Sequence, residues 1–121
     1  MLRGIRGAIT VEQDTAQAIA EATRELLREL VARNDVALGD IAAATFSLTT
    51  DLCAAFPAST ARALGWALVP MLCHHEVPVP GSLPRCIRVL VLWNTDRSQA
   101  DIQHVYLRDA KQLRPDLEVA R

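Results

Sequence analysis

The chain has 121 residues, 50% of them hydrophobic, with 13 basic against 14 acidic side chains and a net charge of −1. That describes a single domain over residues 1–121, too neutral to grip nucleic acid or an anionic lipid surface by charge. No run approaches the roughly 18 apolar residues of a membrane span, MLRGIRG is no signal-peptide block, and Cys53, Cys73 and Cys86 form neither a CxxC motif nor a disulfide set, so a cytoplasmic chain with free thiols is expected.

Residues 3–11, RGIRGAITV, read as a first strand in which Arg3 and Arg6 face opposite sides. Asp14 with Gln17 resembles a capping box, and Ala16, Ile19, Thr23, Leu26, Leu27 and Leu30 then recur at helical spacing, predicting a long helix over about residues 15–33. Its other face carries Glu21, Arg24, Glu25, Arg28 and Glu29 and belongs to solvent, so the helix covers one side of a sheet. Gly39 and Asp40 mark a turn before a half-buried strand, Ile41 to Thr50, in which Phe46 and Leu48 alternate with Thr45, Ser47 and Thr49. Pro57 to Leu64 supplies a short helix, Trp66 to Cys73 an apolar third strand interrupted by Pro70, and CIRVLVLWN, residues 86–94, the clearest buried strand. Ser98 with Asp101 caps a short helix, His104 to Leu107 forms a last strand, and RPDLEVAR reads as a frayed tail. The sum is an α+β fold, a mixed sheet of about five strands covered by one long helix, whose second face calls for a homo-oligomeric partner.

The basic residues are twelve arginines and one lysine, Lys111. Two of the arginines stand out. Arg88 lies among Ile87, Val89, Leu90, Val91, Leu92 and Trp93, and Arg6 lies between Ile5 and Gly7. A guanidinium buried in such a strand is costly unless an anion meets it. An internal acid would meet that need for one arginine, whereas two point to a site for an external anion. Cys73, His74, His75 and Glu76 are adjacent metal-ligand types, but neighbours in an extended segment face opposite ways and no second ligand pair completes a sphere. A GxSxG nucleophile motif and the phosphate-loop patterns are both missing.

The segments RGIRGA, FPA, GW, VP, a Cys with Glu three residues later, CIRV, HVYL and LRPDL, in this order over nearly the whole chain, resemble the monofunctional bacterial chorismate mutases of the trimeric pseudo-α/β-barrel class. The resemblance implies a homotrimer that converts chorismate to prephenate, without cofactor or metal, in clefts between adjacent subunits. It also implies that Arg88 contacts the ether oxygen of the breaking bond and a carboxylate, and that Arg6 and Tyr106 hold carboxylates. Glu76 and Cys73 would approach the ring hydroxyl. Phe56, Ala58, Leu72 and Leu113 would line the pocket, with Arg62 and Arg114 at its mouth. Ser59 stands where relatives often carry lysine, and His74 and His75 where glutamine or methionine is usual.

For Cys73 and Glu76 to line one cavity, an offset of three demands a bulge or bend at residues 73–76. Two other readings share the strand arginines: a trimeric regulator that binds a small carboxylate without turnover, and a trimeric deaminase of imines or enamines.

Overall fold

Small and β-branched residues make RGIRGAIT the opening strand, β1 (Leu2–Thr10), in the computed structural model, which describes residues 1–114 of the chain. Ile5 and Ile9 join the main core, while Arg6 is exposed on the opposite face and Ala8 is buried there in a smaller cluster. The helix α1 (Ala16–Asn34) follows as expected, but its cap differs. Thr15, not Asp14, accepts the hydrogen bond from the Ala18 N–H, at 3.1 Å. The Asp14 carboxylate instead accepts from the N–H groups of Cys53 and Ala54, both at 2.9 Å, and tethers the loop that leads to Phe56. Two short polar residues stood side by side, and a distant loop decided between them.

The helix lays Ile19, Ala22, Leu26, Leu27 and Leu30 on the sheet. It comes so close over Gly7 that a Cβ there would lie 3.1 Å from Leu26 Cδ1 and 3.2 Å from Val89 Cγ1. The remaining elements are β2 (Ile41–Leu48), α2 (Pro57–Ala63), β3 (Met71–His75), β4 (Cys86–Asn94) and β5 (Val105–Leu107). They form one five-stranded mixed sheet in the order β3-β2-β4-β1-β5. Strand β4 runs antiparallel to both β1 and β2, and the outer pairs β1–β5 and β2–β3 are parallel. The expected α+β architecture with one long covering helix is the observed one.

The third strand was expected at Trp66 to Cys73 and lies instead at Met71–His75. Trp66, 2% exposed, fills the core beside α2 rather than extending a strand. Pairing begins at the proline: Pro70, which has no N–H, offers its carbonyl to the Ala44 N–H at 3.0 Å. The bulge expected at residues 73–76 is also not there. Met71 to His75 pair in unbroken register with Ala44 to Leu48, and the Glu76 N–H continues the ladder to the Leu48 carbonyl at 2.7 Å. Regular alternation therefore puts Cys73 on the helix side, against the core, and Leu72, His74 and Glu76 on the other.

Among the described residues no helix is long and apolar enough to cross a membrane, and no group of three or more His, Cys, Asp or Glu side chains is arranged to hold a metal ion. The last strand is set by a buried polar clamp at the end of α1. The Asn34 side chain donates to the carbonyls of Leu30 and Gln103, at 3.0 and 2.9 Å, and accepts from the Gln103 N–H at 2.8 Å. Replacing it leaves buried backbone groups unpaired, so Asn34→Ala should lower stability by about 2–4 kcal/mol, read as a drop in the urea midpoint at fixed protein concentration.

Candidate active site

Opposite the helices, the pairing register builds a line of side chains across all five strands. His74 pairs with Ser47, Ser47 with Arg88, Arg88 with Ala8, and Ala8 with Tyr106. The next line brings Leu72, Thr45, Leu90 and Arg6 together. Arg6 and Arg88 are thus diagonal neighbours on adjacent strands, about 7–8 Å apart at the backbone. Ala8 offers only a methyl group between Arg88 and Tyr106. The hollow this leaves is an open cavity of about 440 Å³, whose lining includes Arg6, Arg88, Tyr106, Leu113 and Arg114 and, among the described residues, no acid.

The setting of Arg88 differs from the sequence expectation. Its guanidinium is not in the core, because Ile87, Val89 and Val91 point to the helices while Arg88, 46% exposed, points into the cavity. Glu76 meets it from the edge of the sheet, with Arg88 Nε 3.3 Å from Glu76 Oε1. The same Oε1 accepts a hydrogen bond from the Ser47 hydroxyl. Glu76 does not line the main cavity. It lies beside Arg88, against the loop of residues 77–84. Arg6 forms no ion pair among the described residues, and its backbone N–H donates to His104 Nδ1 at 2.9 Å.

The other expected site residues gather elsewhere. Phe56, 68% exposed, and Cys73 line a second cavity of about 410 Å³, with Leu48, Leu52 and His75. Among the described residues, only His74, on the edge strand β3, borders both cavities. Leu72 is 72% exposed on that edge, and Arg62 is exposed on α2, with its guanidinium on the Ser59 hydroxyl at 3.4 Å. Ala58 is buried in the core, 7% exposed, and lines neither cavity. One chain therefore collects Arg6, Arg88, Tyr106, Leu113 and Arg114 around one hollow, with Glu76 beside Arg88 outside it, and keeps Phe56 and Cys73 at another. Sequence reasoning passed over Thr45, Ser47, His74 and Leu90 as cavity residues. The alternation of Thr45 and Ser47 with Phe46 was visible, but the strands they would stand beside were not.

The profile of the family described as "Chorismate mutase type I" matches residues 2–117. The chain belongs to that family. It is 58% identical to a protein named chorismate mutase AroH from Thermus thermophilus, over the full length of both chains. It is 44% identical to chorismate mutase AroH of Bacillus subtilis, covering 100% of this chain and 96% of that one. A solved chorismate mutase structure from Clostridium thermocellum superposes with a TM-score of 0.89 at 46% identity, covering 91% of this chain and 98% of the other.

Under the cavity between Arg6 and Arg88, the 3-10 helix Arg108–Leu113 closes a small core of Ala8, Cys86, Tyr106 and Ala110, and Arg108 clips it down by bonds to the Thr10 carbonyl and the Glu25 carboxylate, each at 3.0 Å. Burial there pushes the Cys86 thiol up to about 11, although the nearby Arg88 charge pulls the other way. A thiol held protonated by folding contributes stability that is complete below its ordinary value of 9.0 and is lost as pH rises through about 11. Cys86→Ala should therefore flatten the fall of melting temperature between pH 9 and pH 11, measured by circular dichroism against the parent chain.

Proposed function

We infer that this chain catalyses the rearrangement of chorismate to prephenate, on the route to phenylalanine and tyrosine. The observation that carries the reading is the pair Arg6 and Arg88, set diagonally on one sheet face around a cavity that no acid lines among the described residues, in a member of this family. Chorismate is a dianion that rearranges in one pericyclic step, with no proton transfer and no covalent intermediate. An enzyme for it has two tasks: to hold the compact conformer, and to stabilise the negative charge that develops on the ether oxygen. Fixed cations perform both, and the step needs no cofactor.

Each role follows from what each side chain can offer. Glu76 occupies Nε of Arg88 and leaves its two terminal NH₂ groups for a forked contact with the ether oxygen and a carboxylate. Arg6 and Tyr106 bind carboxylate from the neighbouring strands. Oxygen Oε2 of Glu76 takes neither Ser47 nor Arg88 and suits the ring hydroxyl, which makes the residue an orienting acceptor rather than a base. Leu113 contributes apolar wall, and Arg114 stands at the mouth.

The split of site residues between two cavities supports completion by a second copy. Cys73 and Glu76, on opposite faces of a straight strand, serve one substrate most simply when they come from different chains. On that reading a neighbour supplies Phe56, Arg62, Leu72 and Cys73 to the hollow around Arg88, with Ala58 packed in the core behind them, and the assembly is the homotrimer of the family's barrel class. Leu2, Leu72 and Leu90, exposed on the sheet face, are the kind of apolar surface such an assembly covers. The catalytic unit is then a single domain over residues 1–121, working in the cytoplasm.

Two experiments test the reading. The purified protein should deplete chorismate absorbance, and Arg88→Ala should lower kcat about 10²- to 10³-fold or more, the cost of one preorganised donor to a developing oxyanion. Arg88→Lys should not recover the loss, because an ammonium offers no fork; binding of chorismate without conversion by the parent chain would overturn the assignment. For the shared site, Arg88→Ala and Phe56→Asp should each be inactive alone. Mixed and reassembled in equal amounts, they should restore up to about a quarter of the parental sites, since random assembly pairs intact halves that often; mixtures that stay inactive after proven subunit exchange would show that each chain works alone.

A further inference from the structure

We propose that Ser47, to which the family resemblance assigns no role, is a positioning residue that stops Glu76 from closing on the guanidinium of Arg88; this rests on the mutase reading above. Ser47 lies in the middle of β2, 8% exposed, paired in register with Arg88 on one side and His74 on the other. Its hydroxyl donates to Glu76 Oε1, the oxygen that also faces Arg88 Nε. A serine hydroxyl has one proton to give, and here it goes to the carboxylate.

The consequence lies in what that carboxylate would otherwise do. A carboxylate beside an arginine favours the forked arrangement, with two parallel N–H bonds of about 2.7–2.9 Å. The observed contact uses one nitrogen, at 3.3 Å, and so is neither forked nor short. Glu76 is held from two sides by consecutive residues of β2: its backbone N–H by the Leu48 carbonyl at 2.7 Å, and its Oε1 by Ser47. Without the Ser47 hydroxyl, Glu76 is free to rotate onto Nε and a terminal NH₂ together. That takes from the substrate one arm of the fork which the reaction uses on the ether oxygen. Ser47 thus acts through Glu76 on Arg88, and its loss weakens the transition state more than the ground state.

The test compares Ser47→Thr with Ser47→Val, two side chains alike in shape that differ in the hydroxyl, alongside Ser47→Ala. Loss of the hydroxyl should lower kcat about tenfold, the scale of one charge-assisted hydrogen bond, with KM changed less than about twofold. Ser47→Thr should recover most of that loss while Ser47→Val does not. In a Glu76→Ala background, Ser47→Ala should add less than about a twofold effect, because its route to Arg88 is already gone. Equal kcat for the Thr and Val variants, or Ser47→Ala and Glu76→Ala losses that multiply independently, would overturn the proposal. Absence of turnover in the parent chain would overturn the mutase reading itself, so the two failures are distinguishable.

Discussion

Strand β4 lies at the centre of the sheet, bonded on both edges, so each of its side chains has only two directions open to it. Ile87, Val89, Val91 and Trp93 take the direction of the helices and supply the middle of the core. Arg88 and Leu90 then have no choice but the opposite face. The strand at the centre of the sheet, which gives four side chains to the core, is therefore also the one that aims the Arg88 cation. The aim is rigid because changing it would flip the whole apolar set out of the core.

Around that fixed cation the sheet assembles a graded electrostatic setting. Glu76 and Ser47 stand on the β3 side, Ala8 leaves room on the β1 side, and Tyr106 closes the line on β5. The acid touches one nitrogen of the guanidinium, and among the described residues no acid lines the cavity itself. A site for a dianion is consistent with this division, in which the acid orients the arginine without neutralising its working face. On the straight edge strand, alternation sends Cys73 to the cavity beside Phe56 and Glu76 to the side of Arg88.

Polar tethers far from the cavity set its parts in place. Asp14 holds the loop before Phe56 through two backbone bonds, and Asn34 holds the segment before β5 through two. Arg108 ties the 3-10 helix that carries Leu113 to β1 and α1 at once. In each case one side chain bonds backbone groups of a distant segment, from a buried position at Asn34 and from exposed ones at Asp14 and Arg108, so these contacts stabilise the fold and position the site together.

Much of this protein was legible in the residues alone. The spacing of Ile19, Leu26, Leu27 and Leu30 is enough for α1, and the alternation in Phe46 and Leu48 and the run CIRVLVLWN are enough for β2 and β4. The oddity of arginines within strand-like segments, with the motifs around them, led to the family. That the Arg88 guanidinium is half exposed rather than buried was not legible, because a run of apolar neighbours does not tell a strand buried on both faces from one buried on a single face. Trp66 looked like strand and is a core plug, and Asp14 looked like a helix cap and is a loop tether. Alternation, periodicity and capping chemistry are local, and the chain carries them in every residue. Register is not: that Ser47 faces Arg88, that Arg88 faces Ala8, and that Glu76 reaches them both follows from pairings between segments 29 to 80 positions apart, which only the packed core selects.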